Sequence, residues 1–340
     1  MVKNILITGG CGFIGHHVVE HFFHNTDYNI FILDKLTYAS RGLDRLRNAK
    51  VLDENKEPLH GNRVKVFTFD ISHDISPGVI QELGNINYII HMAADTHVDN
   101  SIKEPVNFIK NNVMSTVYML EYARKLKNLE KFFYFSTDEV YGSAPGTTSY
   151  KEWDRHKPTN PYSASKSCGE QICISYGNTY KLPIIIVNVM NAFGERQHVE
   201  KFIPKVIKSV LKGEKVYIHA DKKCENPGSR FYIHARNIAN AILFLINNGN
   251  IGEKYNIVGE KEVNNLEMAL FIANEMKMEL KYELVNFHED RPGHDLRYSL
   301  DGTKLIKEGW KLPLTFEESL RKTIQWTLRN QEWLNWEEFE

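Results

Sequence analysis

At 340 residues the chain is too long for one small core, so one large or two medium domains are expected. Its 42% hydrophobic and 25% charged residues suit a soluble globular protein, and a net charge of −1 without long runs of either sign argues against a nucleic-acid groove or an anionic membrane surface. The opening Met1-Val-Lys-Asn-Ile-Leu-Ile-Thr8 does not read as a signal peptide, no stretch is apolar enough to span a membrane, and Cys11, Cys168, Cys173 and Cys224 lack metal-type spacing and read as free thiols of a reducing cytosol.

Strand and helix signals alternate along the first half. Residues 4–8 form a buried-strand run, 13–23 have helical spacing of apolar residues, and 29–33, 64–69 and 87–91 read as further strands. Residues 106–126 carry a long helical pattern with large apolar residues at Val113, Val117 and Leu120. A fifth strand (131–136), a helix (160–180) and a sixth strand (182–188) follow. This rhythm predicts an α/β fold with a Rossmann-like, doubly wound parallel sheet, helices on both faces and ligands at the carboxyl ends of the strands.

Beyond residue 190 the pattern shortens. Residues 191–204 and 220–231 read as polar loops, 237–247 and 265–276 as helices, 254–258 as a short strand, and 316–330 as a terminal helix. The expected division is a dinucleotide-binding domain over 1–190 and a smaller α/β substrate lobe over 191–340, with some later segments returning to the large sheet.

Gly9 precedes a Gly10-Cys-Gly12-Phe13-Ile14-Gly15 run that follows a strand and opens a helix. Asp34 ends the next strand, nineteen residues past Gly15. That context makes the glycines a dinucleotide cradle: they permit a tight turn and close approach to a pyrophosphate, and the helix N-terminus adds N–H donors. Asp34 can accept hydrogen bonds from both ribose hydroxyls and would repel a 2′-phosphate, which favours NAD over NADP. Asp70 and Ile71 end the third strand and could meet the adenine edge or simply cap the strand. Ala93 and Ala94 are small, as a backbone beside a cofactor requires, although packing explains them equally.

Ser136-Thr-Asp-Glu-Val-Tyr-Gly142 sits where an aromatic-rich strand ends, and Tyr162-Ser-Ala-Ser-Lys166 puts a phenol and an ammonium on one helix face. A neighbouring cation lowers a phenol toward usable basicity. Asp138 and Glu139 add two carboxylates that plain hydride transfer does not need and that removal of water does.

Together these residues resemble the extended short-chain dehydrogenase/reductase superfamily, and within it the nucleotide-sugar 4,6-dehydratases, above all the dTDP-glucose type. The likeness runs over nearly the whole chain. It is carried by the glycine loop, Asp34-Lys-Leu-Thr-Tyr-Ala39, His91-Met-Ala-Ala94, His97-Val-Asp99, the two segments just described, Glu200-Lys201, Tyr255-Asn-Ile257 and Asp290-Arg-Pro-Gly-His294. Thr137-Asp138-Glu139 is the specific part, since sugar epimerases of the superfamily lack the acid pair. The resemblance implies that Tyr162, aided by Lys166, takes the sugar O4 proton while hydride passes to NAD. Glu139 then removes the C5 proton, a protonated Asp138 releases the 6-hydroxyl as water, and hydride returns to C6. Thr137 would polarise the 4-oxygen. It also implies cofactor contacts from Phe13, Ile14, Lys35, Thr37, Asn112 and Ser136, and a homodimer built on residues 106–126 and 160–180. Substrate contacts would come from Thr96, His97, Asn188, Glu200, Lys201, Arg230, Asn256, Arg291 and His294, with the two arginines on the diphosphate. No metal is expected.

The run from Gly194 to Val199 and the residues after Arg230 depart from the dTDP-glucose pattern. They leave dTDP-glucose as the foremost substrate and GDP- or UDP-N-acetylglucosamine open. A nucleotide-sugar 4-epimerase and a non-catalytic NAD(H)-binding scaffold are the alternatives.

Overall fold

The computed structural model describes residues 2–52, 63–286 and 296–335. Seven strands form one parallel sheet: β1 (Asn4–Thr8), β2 (Asn29–Asp34), β3 (Val64–Thr68), β4 (Tyr88–His91), β5 (Lys131–Thr137), β6 (Ile184–Val189) and, much later in the chain, β11 (Lys254–Ile257). Their spatial order is β11-β6-β5-β4-β1-β2-β3. The order reverses between β1 and β4, and a crevice opens there at the carboxyl ends, as it must in a doubly wound sheet. Alternate residues serve opposite faces. Ile5, Ile7, Phe133 and Phe135 join one core, while Leu6, Phe132 and Tyr134 join the other. That is why these strands read as unbroken apolar runs.

Helix α1 (Phe13–Asn25) follows β1 through the glycine loop, and Gly12 caps it with backbone alone, so its first N–H groups face the crevice. Short helices α2 (Asp44–Asn48), α3 (Pro77–Leu83) and α4 (Val98–Lys103) precede two long ones, α5 (Pro105–Lys125) and α6 (Pro161–Tyr180), which pack on each other. Asn160, expected inside the helix, is instead the cap of α6: its side chain accepts from the Ser163 N–H while Ser163 answers in a capping box.

The later chain is more regular than its polar residues suggest. The segment expected to loop to residue 204 contains β7 (Ala192–Phe193) and the start of α7 (Phe202–Lys212). Pro204 lies in the first turn of α7, where its missing N–H costs nothing, and Ile203, Val206, Ile207 and Val210 bury one face. The segment expected to loop from residue 220 is bounded by β8 (Val216–Ala220) and β9 (Ser229–Phe231), the latter paired antiparallel with β12 (Glu262–Asn264). Strands of three residues leave no periodic trace. The remaining elements are β10 (Ile233–His234), α8 (Ala235–Asn248), α9 (Asn265–Met276), β13 (Tyr282–Asn286), α10 (Thr303–Lys307) and α11 (Phe316–Arg329). α8 packs on α1, against the large sheet, whereas α7, α9 and α11 enclose a separate core.

Candidate active site

A cavity of about 620 Å³ runs along the carboxyl ends of β1, β2, β4 and β5. Its walls include Gly9, Gly12, Phe13, Ile14, Gly15, Asp34, Lys35, Thr37, Asp70, Ile71, Ala93, Ala94, Thr96, His97, Ser136, Tyr162, Lys166, Glu200 and Lys201, all singled out from sequence.

The glycines at one end are required by contact. Gly9 has φ +72°, and a β-carbon there would lie 2.9 Å from the Ala93 Cα. On Gly15 it would lie 2.0 Å from the Gly9 carbonyl oxygen. Beside this cradle the Asp34 carboxylate accepts from the N–H groups of Cys11 (3.0 Å) and Leu36 (2.8 Å). Burial raises its pKa, and those two hydrogen bonds oppose the rise. At the strand end of β3, burial pulls the Asp70 carboxyl upward, but hydrogen bonds from Ser72 outweigh it and hold the group below its ordinary value. These features fit NAD: close backbone approach for a pyrophosphate, N–H donors at α1, and a carboxylate where a ribose would lie.

Arg45, which the sequence did not advertise, buttresses the cradle from beneath. Its guanidinium donates to the carbonyls of Cys11 (3.2 Å), Ala39 (2.6 Å), Ser40 (2.9 Å) and Arg196 (3.0 Å). Burial lowers its pKa to about 9. It thereby ties the cofactor end of the cavity to the loop that leads into α7.

At the other end the phenol and the acid pair meet. Thr137 donates to the Asp138 carboxylate (2.9 Å), accepts from the Glu139 N–H, and shares a hydrogen bond with the Tyr162 hydroxyl. Asn160 holds the Glu139 carboxylate at 3.2 Å. Asp138 is buried, which pushes its carboxyl up to about 6 against the pull of Thr137 and Arg230. Its Oδ2 has no hydrogen-bond partner among the described residues. Glu139 keeps partial exposure. The two adjacent carboxyls therefore have separated environments, one suited to holding a proton and one to taking it.

The expected lowering of Tyr162 is overturned in the chain itself. Burial raises the phenol well above its ordinary value, and the Glu139 and Asp138 charges raise it further. Lys166 is also buried, and desolvation lowers its ammonium to about 8. The Thr137 hydrogen bond is what opposes the rise of the phenol.

Toward the α7 end, Glu200 lies 3.5 Å from His97 and 3.8 Å from His198. His97 also caps α4, its Nδ1 accepting from the Asn100 N–H. His198, on the cavity wall and edge-on to Tyr38, is lowered to about 4 by burial. Neither His198 nor Tyr38 carried a sequence signal beyond its position inside a motif.

The family model described as GDP-mannose 4,6 dehydratase matches residues 6–323. The chain belongs to that family. A dTDP-glucose 4,6-dehydratase of Salmonella typhimurium is 35% identical over 97% of this chain and 94% of its own. A trifunctional UDP-glucose 4,6-dehydratase of Arabidopsis thaliana is 37% identical over 97% of this chain and 48% of its own. The crystal structure of a dTDP-glucose 4,6-dehydratase from Streptomyces venezuelae with NAD bound superposes with a TM-score of 0.85 at 31% identity, covering 97% of this chain and 98% of that one. A UDP-glucose 4-epimerase of Thermus thermophilus in complex with NAD superposes at 0.82 with 25% identity, covering 95% and 98%.

Within this member of the dehydratase family, four residues expected to touch ligand also make contacts within the protein, and the side-chain oxygens of Asn188 and Asn256 keep no hydrogen-bond partner among the described residues. Asn112 accepts from the Asp95 N–H and donates to the Asp95 carbonyl and the Ser165 hydroxyl. Asn188, fully buried, donates to the Thr137 carbonyl (3.2 Å) and to Glu170 (2.7 Å). Asn256, also fully buried, donates to the carbonyls of Tyr150 and Asp301. Arg230 donates to the carbonyls of Ser229 and Leu296 and lies over the Tyr298 ring at 4.5 Å, acting on Asp138 through its charge. Polar residues near a site satisfy backbone first, and chain position alone does not reveal which. Arg291 and His294 lie outside the described residues.

Proposed function

We propose that the chain is an NAD-dependent nucleotide-sugar 4,6-dehydratase, a hydro-lyase that converts an NDP-hexose to the NDP-4-keto-6-deoxyhexose. The observation that carries this reading is the Thr137-Asp138-Glu139 cluster: two acids of separated environment, joined through Thr137 to the Tyr162 phenol beside the cofactor cradle. An epimerase needs the phenol and not the acid pair.

NAD, held by the glycine cradle and Asp34, supplies the hydride acceptor and donor. Tyr162 takes the proton of the sugar 4-hydroxyl, and Lys166 supports the phenolate. Thr137 holds the 4-oxygen. Once C4 is a ketone its neighbouring C–H is acidic. Glu139 removes that C5 proton, and Asp138, which holds a proton more readily than an ordinary carboxyl, gives its own proton to the departing 6-hydroxyl, so that one water leaves; Glu139 then returns the C5 proton as C6 takes the hydride back. Burial of Asp138 and Tyr162 keeps bulk water from quenching the intermediate.

dTDP-glucose is the foremost substrate, in keeping with the Salmonella relative, and UDP-glucose and the N-acetylglucosamine nucleotides are tried beside it. Purified protein would be incubated with each, and with GDP-mannose and CDP-glucose, and the products weighed. Loss of one water from one sugar nucleotide identifies base and sugar together. An isomer of unchanged mass would replace the dehydratase by an epimerase.

We further propose a cytosolic homodimer. The four free cysteines suit a reducing compartment. No helix among the described residues is long and apolar enough to cross a membrane. Val106 and Ile109 on α5 are 75% and 44% exposed, and Val113 and Val117 continue the stripe half-buried, although Leu120 faces the core. A sedimentation run showing only the 39.5 kDa monomer would remove the dimer.

A further inference from the structure

Lys166 does not stand free beside the phenol it serves. Its Nζ lies 4.4 Å from the centroid of the Tyr134 ring, on the neighbouring strand β5. The Tyr134 hydroxyl in turn donates to the Lys166 carbonyl at 3.2 Å. One aromatic residue thus touches both ends of the lysine: its face meets the ammonium and its hydroxyl meets the backbone.

The fold makes room for this at a specific cost. A β-carbon on Gly169 would fall 2.0 Å from the Tyr134 hydroxyl oxygen, so α6 carries no side chain where the phenol reaches under it. Tyr134 is completely buried. The same hydroxyl shares a hydrogen bond with Thr116, whose own hydroxyl lies 3.2 Å from the His91 Nε2. His91 Nδ1 lies 2.9 Å from the hydroxyl of Thr8, the residue that leads into the glycine loop. A continuous polar chain therefore runs beneath the sheet end from the cofactor cradle to the lysine.

We propose that Tyr134 is a positioning residue for Lys166: its ring face holds the ammonium as a cation in a dry site, and its hydroxyl fixes the helix turn that aims the side chain along the cavity. An ammonium over an aromatic face is attracted by the ring quadrupole, most strongly where water is excluded. This inference rests on the proposed role of Lys166 in supporting the Tyr162 phenolate.

The groups facing the ammonium are few. Glu170 and Cys173 act from its own helix and favour the charge, and Tyr162 precedes it by one turn. His91 faces it from β4, kept neutral by burial, which lowers it to about 3. Burial of Lys166 works against its charge. The ring offsets part of that loss without placing a further carboxylate beside the acid pair.

The test replaces Tyr134 in the full chain by phenylalanine, 3,5-difluorophenylalanine and pentafluorophenylalanine. The three rings are nearly isosteric, while fluorination drains the negative ring face. The Lys166 pKa is read by NMR from ε-13C-labelled lysine, assigned with Lys166→Met. The expected result is a stepwise fall along the series, about one pH unit from the first ring to the last. The alkaline and acid limbs of the kcat profile should move with it, and KM for the sugar nucleotide should hold within about twofold. A purely structural role would leave the lysine pKa flat along the series, and a flat series overturns the proposal. Should the pentafluoro chain not fold, the first two rings decide by the same criterion. The separate failure of the catalytic reading has its own signature: Lys166→Met would then keep full turnover, whatever the ring series shows.

Discussion

Lys254 Nζ lies 2.7 Å from the Glu170 carboxylate, with the two side chains 2% and 0% exposed. The pair joins β11, the strand that returns late to the sheet, to α6, the helix that carries Tyr162 and Lys166. Glu170 also accepts from Ser136 and Asn188, and Asn188 holds the Thr137 carbonyl. The acid-pair turn is thus anchored to a buried charge that a distant segment pairs with.

Removing one partner of such a pair strands the other. Lys254→Met should lower stability by about 3–5 kcal/mol in urea unfolding. Glu170→Gln added to it should recover more than half, because Gln keeps an acceptor for Ser136 and Asn188 and carries no charge. A double variant no better than the single one would show that the charge is not what matters.

Gly15→Ala should abolish cofactor binding. Its β-carbon would meet the Gly9 carbonyl oxygen at 2.0 Å, and the backbone that approaches the pyrophosphate has no room to give. A rise of roughly a hundredfold or more in the Kd for NAD is expected by calorimetry. Gly213→Ala is the control: φ is +65° with open space around it, so it should cost about 1 kcal/mol of stability and leave NAD affinity unchanged.

Asp138→Asn should stop turnover and yet stabilise the fold near neutrality. Asp138 holds its proton up to about 6 in the folded chain, against an ordinary 3.8. The folded state therefore binds more protons than the unfolded one between those values, and stability falls as pH rises through that window. The Asn variant escapes the loss. A gain of about 1–3 kcal/mol is expected at pH 7, closing below about pH 4. An equal Tm difference at both pH values would contradict the assigned cause, which is burial of the charge.

Glu139→Gln leaves the phenol, the lysine and the cradle in place and removes only the base for the C5 proton. Dehydration should fall by about a hundredfold or more, while oxidation at C4 persists as a stoichiometric burst of reduced cofactor. Unchanged turnover would sink the dehydratase reading.

Much of this was legible in order along the chain. A strand, a glycine turn and a helix N-terminus are neighbours in sequence, and so are Thr137, Asp138 and Glu139, or Tyr162 and Lys166 one helical turn apart. Strand β1 carries the unbroken apolar run Ile5-Leu6-Ile7 because both its faces are covered, a condition its own residues already reflect. Local chemistry of this kind needs no knowledge of where the rest of the chain goes.

Tertiary structure decided what depends on partners far away. Arg45 is one of 42 basic residues and becomes the buttress of the cradle only because Cys11, Ala39, Ser40 and Arg196 turn their carbonyls to it. The amide N–H groups of Asn188 and Asn256, expected at the ligand, satisfy buried carbonyls, while their oxygens keep no partner among the described residues. The phenol of Tyr162 was expected to fall and rises, because burial, Glu139 and Asp138 push it up against the pull of Thr137. Sequence spacing reaches about one helical turn, whereas desolvation and Coulomb forces add over every group the fold brings within a few ångströms.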